Sequence, residues 1–228
     1  MENFDYIMRN YEALKQEISE LSEKYKREIT LVAVTKSATD EELLALAKCG
    51  ITDIGENRPQ ELARRGSLLL ENVFTPRLHE IGNLQKNKVR TIIDMVSLIH
   101  SLDGEPLAQE INRRAELIGR KIPVLIEINS GKEEQKGGVM PEEAEALILS
   151  LEKYEHISVS GLMTMGPVCE GEEIRPYFRL TKELFDSLSE KGLLGDSPKL
   201  SMGMSDSYRI AIEEGADIVR VGRRLFIK

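Results

Sequence analysis

LVAVTKSATDEELLALAKCGITDIGEN, residues 31–57, holds the fold in miniature. An apolar run (LVAVTK, 31–36) leads into a helical pattern near 40–48 and then into a second short apolar run (TDIG, 52–55). A strand, a helix and another strand in this order imply parallel strands joined by a crossover. Further strand runs follow as RLHEIG at 77–82, MVSLIHSL at 95–102, PVLIEIN at 123–129, ISVSGLMTM at 157–165, KLSMG at 199–203 and DIVRVG at 217–222. Helical patterns lie between them near 58–70, 84–92, 104–118, 141–152, 173–191 and 206–214. The strand runs are nearly all apolar, as strands covered on both faces must be. Eight such units in about 200 residues make a minimal (β/α)8 barrel of the TIM type. No G-x-G-x-x-G follows the first strand, so an open doubly wound sheet lacks its marker.

Ahead of the barrel, residues 2–26 read as one extra amphipathic helix, with Tyr6, Ile7, Tyr11, Leu14, Ile18 and Leu21 on a single face. No linker or low-complexity tract divides the chain, so one domain over residues 1–228 is expected. Its 31 basic and 39 acidic residues leave a net charge of −8, the wrong sign for a chain whose task is gripping nucleic acid or anionic membrane. Cys49 and Cys169 form no CxxC motif, and with three histidines they assemble no zinc site. The charged N-terminus lacks a signal-peptide h-region, and no apolar run nears the roughly 20 residues that span a bilayer. A cytoplasmic protein, and a monomer, is expected.

Barrels of this type bind ligands at the C-terminal ends of their strands. The first strand ends in Lys36, whose amine, if partly desolvated there, would be free to attack an aldehyde. The plain alternative is a lysine that snorkels to solvent. Ser201-Met-Gly-Met-Ser205 after the seventh strand, with Gly222-Arg223 after the eighth, offers turn amides for a phosphate, although Ser205 would also serve as a helix cap. Arg220 lies inside the last apolar run and needs a partner, either a ligand acceptor or a carboxylate such as Glu127 or Glu56. Asn57-Arg-Pro-Gln reads as a helix N-cap with Pro59 in the first turn and Gln60 at N3. His79 reads as a satisfied core or loop histidine with no proton-transfer role, and Met163, Met165, Met202 and Met204 as core and pocket lining.

Together these stretches resemble the pyridoxal phosphate homeostasis protein family, short relatives of the alanine racemase N-terminal barrel that bind pyridoxal 5′-phosphate (PLP). The resemblance runs from Leu31 to Phe226 through LVAVTK, IGEN at 54–57, HEIGNLQKNK at 79–88, GLMTMGP at 161–167, SMGMS at 201–205 and VRVGRRLF at 219–226. It implies that Lys36 bonds covalently to the PLP aldehyde. It implies that Ser201, Gly203, Gly222 and Arg223 hold the phosphate, mostly through backbone amides, that Arg220 faces the pyridine nitrogen and that Asn57 lies near the ring. The sequence departs from the family pattern at Arg58-Pro59, where a tyrosine usually follows Glu-Asn. It departs again at Ser207, where aspartate is common, and at Arg223, where threonine is common.

The resemblance also bears on activity. Electron-sink catalysis by PLP works best with a protonated ring nitrogen, and an arginine, with a pKa above about 12, cannot accept that proton. Alanine racemase adds an opposing base from a second domain, which is not expected in a chain ending at Lys228. The expectation is a protein that carries or buffers PLP, with apo PLP-dependent enzymes as recipients. The alternatives are a weak amino-acid racemase or a sugar-phosphate barrel enzyme using Lys36.

Overall fold

The computed structural model describes residues 4–133 and 135–228. Helix α1 (Asp5–Tyr25) precedes the barrel and buries Tyr6, Ile7, Tyr11, Leu14 and Ile18, with Leu21 half-buried at its margin. The expected first residues of this helix fall outside the described ones. Eight parallel strands then close on themselves in chain order: β1 (Thr30–Val34), β2 (Asp53–Glu56), β3 (Arg77–Glu80), β4 (Leu98–Leu102), β5 (Ile122–Glu127), β6 (Ile157–Met163), β7 (Lys199–Ser201) and β8 (Ile218–Val221). Closure comes from β8 pairing with β1, with Val32 opposite Arg220 and Ala33 opposite Val221. All eight strands fall at the expected apolar runs; β1, β2 and β5 each reach one residue outside theirs, and the other differing ends are one to three residues shorter.

The crossovers are α2 (Asp40–Lys48), α3 (Pro59–Glu71), α4 (Glu105–Leu117), α5 (Ala144–Leu151), α6 (Arg175–Glu190) and α7 (Tyr208–Glu213), with α8 (Arg223–Phe226) after the last strand. Two differences from the sequence reading have local causes. Between β3 and β4 the expected helix tightens to a 3-10 turn over Lys86–Thr91. Thr91, Ile92 and Ile93 follow as a β-branched run that disfavours continuing the helix. The N-cap of α3 is Arg58 rather than Asn57, in extended conformation with no side-chain cap bond. A residue before proline is pushed out of the helical region, so Pro59 at N1 moves the boundary by one.

Candidate functional site

The C-terminal rim brings the expected residues to neighbouring strand ends. Lys36 lies just beyond β1, Asn57 beyond β2, Ser201 closes β7, Arg220 lies in β8, and Gly222 and Arg223 follow it. These are four contiguous strands, β7-β8-β1-β2, of the closed barrel. Lys36 is exposed, so burial does not supply the desolvation anticipated for a strand-end lysine. What the structure supplies instead is a fixed turn. Arg65 of α3, 5 % exposed, donates to the carbonyls of Thr35 and, at 2.8 Å, of Ala38, clasping the turn that carries Lys36 on both sides. Arg65 also pairs with Glu56 at 3.1 Å, and Thr35 Oγ1 donates to the same carboxylate at 2.5 Å. Burial raises the Glu56 carboxyl above its ordinary range, against the pull of Thr35 and Arg65. Glu56 therefore serves the turn and is not a partner of Arg220.

The loops after β7 and β8 interlock. Ser205 Oγ accepts from the Gly222 N–H at 3.3 Å, and Gly203 O accepts from the Arg220 N–H at 3.0 Å. Ser205 is thus a brace between the two loops, and the cap position before α7 belongs to Ser207, whose Oγ accepts from the Met204 N–H at 3.1 Å. The two glycines serve close packing. At Gly203, with φ of +89°, a Cβ would lie 2.5 Å from Ala211 Cβ and 2.9 Å from Tyr208 Cα, against α7. At Gly222 a Cβ would lie 2.8 Å from Val34 O of β1. Both therefore let loops approach the protein's own backbone. The Arg223 side chain is exposed and paired with Asp206. Met163 and Met202 are buried, whereas Met165 and Met204 are 43 % and 42 % exposed beside the rim.

Below the rim lies a polar chain that sequence reasoning did not find. Arg220 Nη1 donates to Ser201 Oγ at 2.5 Å and Nη2 to Thr164 O at 3.0 Å. His100 Nδ1 is 3.0 Å from Ser201 Oγ, and His100 Nε2 is 2.9 Å from His79 Nδ1. His79 Nε2 is 2.8 Å from Asp53 Oδ1, and Arg77 Nε reaches the same carboxylate at 2.8 Å. Strands β4 and β7 are not neighbours, so the His100–Ser201 contact crosses the lumen. His79 is a satisfied core histidine, as expected, but it is one of six residues in this chain.

The electrostatics follow burial. Complete burial lowers the Arg220 guanidinium to about 10, against the nearby Glu127 charge, which still leaves it protonated at neutral pH. Burial pushes the imidazolium form of His100 well below its ordinary range, helped by the charge of Arg220. Burial also works on Asp53, but hydrogen bonds from His79, Arg77 and Thr52 outweigh it and hold this carboxyl at about 2. On the rim opposite Lys36, burial and the neighbouring Asp103 raise Glu127 to about 7, against Arg220.

The chemistry of this set suits a phosphorylated aldehyde. Among the described residues, the N–H groups of Gly203, Ser205 and Arg223 have no protein acceptor, and such amides at interlocked turns are donors for an anion. Arg220 uses two of its five N–H groups on Ser201 and Thr164. The remainder are available to a ring acceptor, and Lys36 supplies a primary amine on the adjoining rim. No group of three or more His, Cys, Asp or Glu among the described residues is arranged to hold a metal ion.

A family model described as the alanine racemase N-terminal domain matches residues 10–227. The pyridoxal phosphate homeostasis protein of Aquifex aeolicus is 43 % identical over 197 residues, covering 86 % of this chain and 85 % of that one. PipY of Synechococcus elongatus PCC7942, solved with PLP bound, superposes with a TM-score of 0.85 at 26 % identity, covering 97 % of this chain and all of its own. An alanine racemase from Clostridium difficile 630 shares the fold with a TM-score of 0.75 at 21 % identity, and this chain covers 55 % of it.

Proposed function

Because the chain belongs to the alanine racemase N-terminal domain family, we propose that its barrel mouth binds PLP and that the protein carries or buffers this cofactor without turning over amino acids. The observation that carries this reading is the contiguity of Lys36, the interlocked loops at Ser201–Ser205 and Gly222–Arg223, and buried Arg220 on neighbouring strand ends. It is supported by the PLP seen in PipY and by the naming of the Aquifex relative. PLP supplies an aldehyde for covalent attachment and a ring able to accept electron density.

The protein's own residues divide the work. Lys36 provides the attaching amine from a turn held by Arg65. The amides of Gly203, Ser205 and Arg223 take the phosphate, with Ser201 and Gly222 setting the course of the two loops. Arg220 donates to the ring nitrogen, and Asn57 lines the ring from the β2 side. Because Arg220 presents donors only, it stabilises an unprotonated nitrogen, which weakens the ring as an electron sink. Exposure of Lys36 suits a carrier, since an amine on an apo-enzyme can reach the same rim.

Borohydride reduction of the PLP-loaded protein, followed by peptide mass mapping, tests the assignment. The phosphopyridoxyl group is expected on Lys36, and Lys36→Ala is expected to lose the adduct while keeping its circular dichroism and thermal midpoint. An adduct on a different lysine would overturn the site.

A further inference from the structure

The lumen chain has a direction that its end groups determine. Arg220 is a pure donor, so Ser201 Oγ accepts its 2.5 Å bond and retains one hydroxyl proton to give. His100 is fully buried and neutral, so it carries a single ring proton. Arg77 is already the counter-charge of Asp53, so a second cation at His79 is not needed there, and two arrangements with singly protonated rings are then open. If His100 donated from Nδ1 to Ser201, its bare Nε2 would need the proton of His79 Nδ1. A neutral His79 would then turn a bare Nε2 toward the Asp53 carboxylate 2.8 Å away, two acceptors face to face. The other arrangement satisfies every contact. Ser201 Oγ–H donates to His100 Nδ1, His100 Nε2–H donates to His79 Nδ1, and His79 Nε2–H donates to Asp53 Oδ1. Arg77 adds two further bonds that hold Asp53 as the anionic end.

We infer that Ser201, His100, His79 and Asp53 are positioning residues, forming a one-directional hydrogen-bond chain that locks Arg220 and directs the hydroxyl and imidazole protons away from the cofactor nitrogen. The first half stands on the protein's own geometry. The second rests on the proposed reading that PLP lies with its ring nitrogen against Arg220. The floor of the site then offers that nitrogen a fixed hydrogen bond but no transferable proton. On this account Ser201 Oγ serves the arginine, and the loop amides serve the phosphate. An unreactive ring follows from a network that spans the barrel from Arg77 at the start of β3 to Arg220 near the end of β8.

Nitrogen-15 spectra of the three histidine rings in the cofactor-free protein at neutral pH decide the first half. His79 and His100 are expected to carry their protons on Nε2. His156 is the internal contrast, because its Nδ1 faces the Arg120 carbonyl at 3.0 Å and must carry the proton there. His156→Gln identifies its signals without touching the lumen. A proton on Nδ1 of His100, or a doubly protonated His79, would overturn the direction. Ser201→Ala is expected to replace the single tautomer of His100 by a mixture, and Ser201→Thr to restore it; an unchanged tautomer in the alanine variant would remove Ser201 from the chain. Loading with ring-15N PLP tests the second half. The ring nitrogen is expected at the shift of an unprotonated, hydrogen-bonded pyridine, and a pyridinium shift would overturn it. Failure to bind PLP at all would refute the proposed function while leaving the histidine result to decide the chain by itself.

Discussion

Glu80, wholly buried behind the barrel wall, has one carboxylate oxygen with no hydrogen-bond partner among the described residues and the other accepting from the Gly82 N–H at 3.1 Å. Burial drives its carboxyl up to about 8, the Gly82 N–H opposes this, and neighbouring Glu56 adds to it. The unfolded chain ionises a glutamate near about 4.3. Between that value and about 8 the folded protein therefore holds the extra proton, and stability falls as pH rises through the window. Glu80→Gln removes this slope. Urea unfolding at about pH 5 and about pH 8.5 is expected to show the variant gaining on the unmodified protein at the higher pH, by on the order of a few kcal/mol. Parallel pH dependences would mean that Glu80 is ionised in the fold.

The loop after β7, proposed to hold the phosphate, depends on close packing between α7 and the turn that precedes it. Gly203 has φ of +89° with α7 directly against it, so a side chain there is both strained and obstructed. Gly203→Ala is therefore expected to cost about 1–3 kcal/mol of stability in the cofactor-free protein. A thermal or denaturant midpoint measured without PLP checks this. If stability is unchanged and only PLP affinity falls, the glycine serves the phosphate directly. Helix α2 shows the same principle at its start, where Thr39 and Glu42 form a reciprocal capping box that places the helix after the Lys36 turn.

For the molecule as a whole, α1 is a brace for the site. Asn10 Nδ2 donates to the carbonyls of Leu225 and Ile227 at 3.2 and 2.8 Å, and Glu17 accepts from Tyr208 OH at 2.6 Å. These contacts tie α1 to α8 and α7, the two helices that follow the loops after β8 and β7. Leu14 of α1, 2 % exposed, is expected to cost about 2–5 kcal/mol when replaced by alanine, read from denaturant unfolding. The carrier reading is also a claim about the whole protein. PLP-loaded protein incubated with L-alanine is expected to give D-alanine, by chiral chromatography, far more slowly than the usual enzyme median of about 10 per second. Sustained turnover near that value would refute it.

The alternation of apolar runs and helical patterns determined the barrel, because parallel strands covered on both faces must be apolar and crossovers must be helical. The position of Lys36, the SMGMS and VRVGRRLF loops and Arg220 at the ends of those runs made the candidate site legible, since strand ends converge on one rim in any such barrel. Three things were not legible. The exposure of Lys36 and its clasp by Arg65 depend on how α3 lies against the β1 turn, a contact between residues far apart in sequence. The task of Gly203 and Gly222 depends on which backbone each one meets. The lumen chain joins β2, β3, β4, β7 and β8, and no local pattern distinguishes His79 or His100 from an ordinary core histidine. Closure of the barrel brings these side chains within hydrogen-bond reach, and that long-range geometry decided the partners of Arg220.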